Sequence, residues 1–344
     1  MKKIILMFTL MLMALSTFAL TSCRNNKLIK VRVAEVAHSV FYAPQYVALE
    51  LGYFEEEGLK IELINSNGAD KVTAALLSRD VQIGLQGPEP TIYLYNSDQK
   101  NYLVNFAQLT RTDGSFIFGR EPVQNFDITM LKGKSILGGR KGGVPEMTLE
   151  YALKQAGLNV VRDQSEFGPD EVNVRTDVAF GAMAGSFIAG EGDYTTLFEP
   201  TATEIVTSNK AYLLCSVGEL VGEVPYTAYS TTLKYYNENK EILEKFTKAV
   251  YKGYLYIQNA TDEEVARVML NQFPDSNLES LTEVVKRYRA INAWANTPIF
   301  NEEGFERLMN IMEEAGELDQ RADFEAIVDT EIAKKVVNQV KNID

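Results

Sequence analysis

The run KSILGGRKGGVPEMTLEYALKQAGL, residues 134–158, sets a strand, a glycine loop and a helix end to end. Ser135, Ile136 and Leu137 read as a short buried strand. Gly138, Gly139, Gly142 and Gly143 make a loop with little side-chain bulk. Pro145 suits the first turn of a helix, where its fixed φ is helical and its missing N–H is not needed. Leu149, Ala152, Leu153 and Ala156 then recur at helical spacing, and Gly157 ends the run. Such a unit leaves free backbone N–H groups at the positive end of a helix dipole, a physical site for an anion or a polar ligand atom. Two nucleotide motifs are excluded: Val144 stands where a P-loop needs lysine, and Arg140 where the dinucleotide fingerprint needs glycine. The alternative is a tight turn whose glycines serve geometry alone.

Outward from this unit, strands and helices alternate on both sides. Upstream, residues 29–36 form the first strand, with Ile29, Val31 and Val33 on one face. A loop over 37–42 leads to a helix over 44–51. Strands over 60–64, 81–85 and 102–108 alternate with a helix capped by Asp70 and another ending at Tyr95. Downstream come a strand over 171–175, a helix capped by Asp177 and a strand over 194–197. Each half has an Asp-ending turn before a strand (Arg79-Asp80, Gly192-Asp193) and Glu-Pro after it (Glu89-Pro90, Glu199-Pro200). This weak repeat predicts two similar α/β lobes with mainly parallel sheets. Crossovers between lobes are predicted over 110–115 and 222–225. Past the second, after the alternating residues 226–230, the chain turns helical over 239–260, 262–272, 278–293, 301–315 and 324–340. These helices are expected to pack on the first lobe.

The start of the chain has the layout of an export signal. Lys2 and Lys3 precede an apolar run over 4–20 that is short for a spanning helix. Leu20-Thr21-Ser22-Cys23 follows at once and resembles the lipobox of bacterial lipoproteins, in which the thiol is lipidated and the chain is cut before the cysteine. Residues 1–22 are thus expected to be a lipoprotein signal peptide, Cys23 the lipidation site and 23–28 a tether. The mature chain is then exported and anchored by lipid to the outer side of a membrane. Cys215, in an expected buried strand over 212–215, is left without a disulfide partner and reads as packing. Removing Lys2 and Lys3 from the 34 basic residues leaves 32 against 47 acidic ones, a net charge of −15. Such a chain repels nucleic acid, and no nucleic-acid partner is expected.

Ala43-Pro44-Gln45-Tyr46-Val47-Ala48, then Gly52-Tyr53-Phe54 and Gly58-Leu59, resembles the opening motif of substrate-binding proteins of ABC importers, in the group serving nitrate, sulfonates, taurine and thiamine-pyrimidine precursors. Leu131-Lys132-Gly133-Lys134 resembles that group's passage into the second lobe, and Gly192-Asp193-Tyr194 with Glu199-Pro200 its later motif. The resemblance covers nearly the whole mature chain. It implies a type II periplasmic-binding fold, with lobe 1 made of 29–112 plus 225–344 and lobe 2 of 113–224. It also implies a ligand enclosed in the cleft by hinge closure, an ABC permease and its ATPase as partners, and a monomer in solution.

Candidate ligand-binding residues follow from loops after strand ends. On lobe 1, His38 lies in the first such loop, and Phe41 and Tyr42 can stack on a flat ring. Gly87 allows close backbone approach, and Glu89 can accept from an amino group. Arg111 can pair with an anionic group or form a hinge salt bridge. On lobe 2, Arg140, Gly142, Gly143 and Glu146 line the glycine loop, though Glu146 can itself answer the helix dipole. In the family's layout Glu199 faces the cleft. A Glu146–Glu199 pair favours a heterocycle such as an aminopyrimidine, whereas Arg140 with Arg111 favours sulfonate, nitrate or phosphate. The sequence does not choose between them.

His38 is the single histidine, no Cys/His cluster exists, and no metal or cofactor is expected. No Ser-His-Asp set or activated nucleophile is visible, so a binding protein is expected rather than an enzyme. A sensing or adhesive surface lipoprotein without a transporter is the other reading. A fungal pyrimidine-synthase-like enzyme of this fold is a third, opposed by the absence of a cysteine-rich motif.

Overall fold

The computed structural model describes residues 27–97 and 99–341. The signal peptide and Cys23 lie outside the described residues. Eleven strands among the described residues form two sheets. The first sheet has the order β2-β1-β3-β11-β4, from β1 (Ile29–Glu35), β2 (Leu59–Asn65), β3 (Ile83–Gln86), β4 (Leu103–Thr110) and β11 (Thr227–Thr232). The second has the order β10-β5-β9-β6-β8-β7. It is built from β5 (Phe116–Gly119), β6 (Ser135–Leu137), β7 (Asn159–Arg162), β8 (Glu171–Arg175), β9 (Tyr194–Leu197) and β10 (Tyr212–Ser216). Helices flank both sheets, so the α/β, two-lobed architecture stands.

Within each lobe one strand is reversed. β1 pairs in parallel with β2 and β3, setting Val33 opposite both Leu63 and Ile83. β11 runs antiparallel to β3 and β4. In the second sheet β6 is parallel to β8 and β9, while β5 is antiparallel to β9 and β10. The reversed strands, β5 and β11, are those that enter each sheet directly after the chain has crossed from the other. The two crossings lie side by side: the Val224 amide donates to the Arg111 carbonyl at 2.9 Å, and the Tyr226 amide to the Thr110 carbonyl at 3.3 Å.

Burial explains the central strands. β4, LVNFAQLT, is buried along its whole length, as a strand covered on both faces must be. Its polar members are paired: Asn105 Nδ2 donates to Thr91 Oγ1 at 2.8 Å, and Gln108 Oε1 accepts from the Asn301 amide at 3.0 Å. The C-terminal helices cover the first sheet. The longest, Lys240–Asn259, packs on helix Ala43–Glu50 closely enough that a Cβ at Gly253 would lie 2.1 Å from the Pro44 carbonyl oxygen. Phe246 of that helix meets Phe54 and Tyr229 at ring distances of 5.2 and 4.9 Å.

Several local expectations are corrected. Asp70 does not cap its helix; Gly68 precedes Ala69–Ser78, and Asp70 sits in the first turn. Asp177 is no cap either, because Arg175 holds its carboxylate at 2.8 Å, and the chain makes a 3-10 turn, Phe180–Ala182, before helix Met183–Ile188. The helix expected over 324–340 breaks into Phe324–Ile327 and Glu331–Lys341, because Val328 is extended and bridges Asn105 of β4. Tyr212 is exposed at the start of β10. Ile29 is also exposed, so the buried face of β1 begins at Val31.

Candidate functional site: an aromatic cavity between the lobes

Loops that follow the carboxyl ends of β1, β2, β3, β6, β8 and β9 converge on a cavity of about 390 Å³. Ligands of open α/β sheets bind at such strand ends. Lobe 1 contributes Phe41, Tyr42, Gly87 and Glu89, together with the start of helix Ala69–Ser78. Lobe 2 contributes Arg140, Gly143 and the start of helix Val144–Gln155, then residues 176–180 and Phe198. Tyr226 and Thr227, just past the second crossing, complete it.

The walls are aromatic. Phe41 meets Phe198 and Tyr226 at ring distances of 5.6 and 5.7 Å, and Phe180 meets Phe198 at 5.6 Å. Phe41 holds its position because residue 114 is glycine; a Cβ there would lie 2.3 Å from the ring. The Tyr42 hydroxyl has no hydrogen-bond partner among the described residues, and burial raises its pKa. The Tyr226 hydroxyl is buried beside the Asp113 carboxylate, and burial, with that charge, raises its pKa.

Glu89 is the polar centre. It is 2 % exposed, and its Oε2 has no hydrogen-bond partner. Burial pushes its carboxyl up to about 7, against the opposing pull of Arg140 and of the Glu89 and Val144 amides. Arg140 reaches across from lobe 2, with Nη2 3.9 Å from Glu89 Oε1. Gly87 makes room: a Cβ there would lie 2.0 Å from Glu89 Oε2 and 2.9 Å from Val144 Cγ2. Neither helix Ala69–Ser78 nor helix Val144–Gln155 has a cap from its N-cap side chain, though the Val144 amide already faces Glu89. The site therefore offers flat apolar faces, one buried carboxyl, the more exposed Asp70 and Asp177, and backbone groups of two helix starts.

Six of the eleven expected ligand residues line the cavity: Phe41, Tyr42, Gly87, Glu89, Arg140 and Gly143. The other five do not. His38 turns away, with Nδ1 2.8 Å from Glu35 Oε1 and Nε2 2.8 Å from the Gln272 carbonyl oxygen. Both partners favour the protonated ring, and the Tyr46 hydroxyl lies 3.1 Å from Nδ1 as well. Burial alone would lower its pKa, but Glu35 and the Gln272 carbonyl raise it overall. Arg111 is the hinge salt bridge, 2.5 Å from Glu223, and joins the two crossings.

Gly142 takes a left-handed φ of 69° and spends its N–H on Glu146 Oε2 at 3.0 Å. Glu146 points away from the cavity toward Glu150 and Arg162, and burial with the Glu150 charge lifts it to about 8. Glu199 is 1 % exposed; it binds Arg287 and accepts from the Thr203 amide at 2.8 Å. The expected Glu146–Glu199 pair is therefore not formed at the cavity, and neither is the Arg140–Arg111 pair. Asn67 to Lys71, residues 176–180, Phe198 and Tyr226 are lining residues that the sequence reading missed. Phe198, directly before Glu199-Pro200 at a strand end, carried a signal that could have found it.

A family model described as NMT1/THI5 like matches residues 40–264. The chain belongs to this family. YtlA of Bacillus subtilis (strain 168), which carries the provisional name of a binding protein, is 37 % identical over 323 residues, 94 % of each chain. Among solved structures, the alkanesulfonate-binding protein SsuA of Xanthomonas axonopodis pv. citri superposes with a TM-score of 0.69 at 14 % identity, covering 88 % of this chain and 98 % of that one. The periplasmic nitrate-binding protein NrtA of Synechocystis PCC 6803 superposes with 0.68 at 14 % identity, covering 92 % and 90 %. These likenesses show the periplasmic-binding fold. The same fold also carries an enzyme, the desulfurization enzyme DSZB, with a TM-score of 0.61, 11 % identity and coverage of 91 % and 99 %. No helix among the described residues is long and apolar enough to cross a membrane.

Proposed function

We propose that the chain is the extracytoplasmic substrate-binding component of an ABC importer, and that it captures a small flat solute bearing amino or ring N–H groups. The observation that carries the ligand class is Glu89, a buried carboxyl with an unpartnered oxygen in an aromatic-walled cavity between the lobes. Below its pKa it both donates and accepts; above it, it accepts only. An aminopyrimidine edge answers either form, and its ring fills the space beside Phe41, Phe198 and Tyr226. Lobe 1 (29–112 with 225–344) closes on lobe 2 (113–224) by bending at the paired crossings. A monomer tethered to the outer side of a membrane through lipidated Cys23 presents the closed form to a permease and its ATPase.

A second reading, a sulfonate or other oxyanion, is favoured by Arg140 and the two uncapped helix starts. It is opposed by Glu89, which would face the anion, and by Arg111, which is spent at the hinge. Thermal-shift and calorimetric screening of aminopyrimidines, sulfonates and nitrate tests the choice. A response to aminopyrimidines that is lost in Glu89→Gln supports the first reading; a sulfonate response indifferent to that change supports the second. Neighbouring genes for a permease and an ATPase separate an importer component from a sensing lipoprotein. Lipid labelling abolished by Cys23→Ser checks the anchor.

A further inference from the structure

Glu199, which the cavity does not use, is a lobe-2 residue gripped by lobe 1. It follows β9 in the second sheet, and its Oε2 accepts from the Thr203 amide of helix Thr201–Thr207, which packs on β10. Its other polar groups cross between the lobes. The Ser39 hydroxyl, in the loop after β1, donates to its carbonyl at 2.5 Å. Its amide donates to the Tyr288 hydroxyl at 3.0 Å. Arg287 donates to its Oε1 and, at 3.0 Å, to Thr203 Oγ1. Arg287 and Tyr288 sit on helix Leu278–Ala290. That helix packs on helix Asp262–Met269, which in turn packs on helix Ala43–Glu50 of lobe 1. The same two residues meet a lobe-2 ring: Tyr288 lies 6.1 Å and the Arg287 guanidinium 5.8 Å from Phe116 of β5.

These bonds are made out of water. Glu199 and Tyr288 are buried, and so is Ser39. With the lobes together, each polar group is satisfied across the cleft. With the lobes apart, water takes them instead. Removing one partner therefore penalises the shut form, where the other is left buried and bare, and spares the open form. The bonds also lie directly behind the aromatic walls. Phe198 precedes Glu199, and the Phe41 amide donates to Ser39 Oγ at 3.2 Å. The Phe41 and Phe198 rings then face each other from opposite lobes at 5.6 Å.

We propose that Ser39, Arg287 and Tyr288 form a clasp on Glu199 that sets the balance between the open and shut cleft and holds Phe198 against Phe41. This rests on the hinged-closure reading above but not on the ligand's identity. Weakening the clasp populates the open cleft without touching a residue whose side chain would meet the ligand.

The test measures the distance between spin labels on Ala74→Cys and Ala189→Cys in the ligand-free full chain, with Cys23→Ser and Cys215→Ser removing the native thiols. Both positions are exposed, one on helix Ala69–Ser78 and the other just past helix Met183–Ile188, each close to a loop that lines the cavity from its own lobe. The clasp variant is Tyr288→Phe with Glu199→Gln. It keeps the ring and the side-chain volume but removes the acceptor for the Glu199 amide and the charge that faces Arg287. Arg289→Ala is the control on the same helix, because its partners, Asp262, Ile257 and Ala260, all lie in lobe 1. Val144→Trp, a wedge against Gly87 across the cleft, is the opening control. All are read only where urea unfolding stays cooperative; Glu199→Gln alone is the milder substitute. The clasp predicts that its variant raises the open-to-shut ratio about tenfold or more, seen as a longer-distance population, while Arg289→Ala leaves the distance unchanged. If the wedge lengthens the distance and the clasp variant does not, the clasp is overturned and hinged closure stands. If Arg289→Ala lengthens it as much as the clasp variant, loosened helix packing is the cause and the clasp is again overturned. If neither wedge nor clasp variant moves it, the hinged-closure reading falls too.

Discussion

At the residue scale, a buried carboxyl and a half-buried histidine carry most of the testable chemistry. Glu89 titrates near 7 in the folded chain, well above an ordinary carboxyl. A raised carboxyl pKa means that the folded state holds its proton longer than the unfolded state. The associated stability is present below about pH 4.5 and is lost as pH rises through about 7, on the order of 3 kcal/mol in all. Glu89→Gln is expected to flatten that slope and to raise stability at pH 8, read from urea unfolding at pH 5 and pH 8. His38 works in the same direction: its raised pKa gives stability at acid pH that fades as pH climbs through that value. Tyr46, with its hydroxyl 3.0 Å from Glu35 Oε2, and Gln45 share the Glu35 carboxylate, so it is not left bare. His38→Ala is expected to cost about 1–3 kcal/mol while leaving ligand affinity within a few-fold, because the ring lies outside the cavity.

At the element scale, strand ends were readable and side-chain direction was not. The strands over 135–137, 171–175 and 194–197 coincide with β6, β8 and β9, because short runs rich in β-branched and apolar residues beside Gly or Asp turns leave little choice. β7, Asn-Val-Val-Arg, escaped because two valines between polar residues show no period. The cavity loops were legible as glycine-rich segments after strands. Which acid faces the cavity was not. Glu89 and Glu146 both occupy the first turn of a helix containing proline at its start, yet Glu89 opens its helix at the cavity and Glu146, two residues into its own, turns to Arg162. Glu35, three residues before His38, takes one ring nitrogen, but the Gln272 carbonyl that takes the other and the Glu223 that claims Arg111 lie 234 and 112 residues away, beyond any local pattern. Glu199 caps helix Thr201–Thr207 and meets Arg287 of helix Leu278–Ala290 from the other lobe. Arg287→Ala leaves that buried carboxylate unpaired and is expected to cost roughly 3–5 kcal/mol, measured by chemical denaturation.

At the scale of the whole molecule, the two lobes form an enclosure with a hinge at one side and interlobe bonds around it. The Ser39 hydroxyl donates to the Glu199 carbonyl at 2.5 Å close to the cavity. The Arg111–Glu223 pair ties the crossings but is partly exposed. Arg111→Ala is therefore expected to cost at most about 1 kcal/mol and to leave ligand affinity unchanged, in contrast with the arginine's expected role in an oxyanion site. The cavity between the lobes is aromatic-walled, with one buried acid, Glu89, in it, and the proposed ligand class rests on that arrangement. The most direct measurement is calorimetric titration of the mature chain and its Glu89→Gln variant with an aminopyrimidine and with an alkanesulfonate. The account predicts saturable aminopyrimidine binding that Glu89→Gln abolishes, and no sulfonate binding. Saturable sulfonate binding that survives Glu89→Gln, with no heat from the aminopyrimidine, would contradict it.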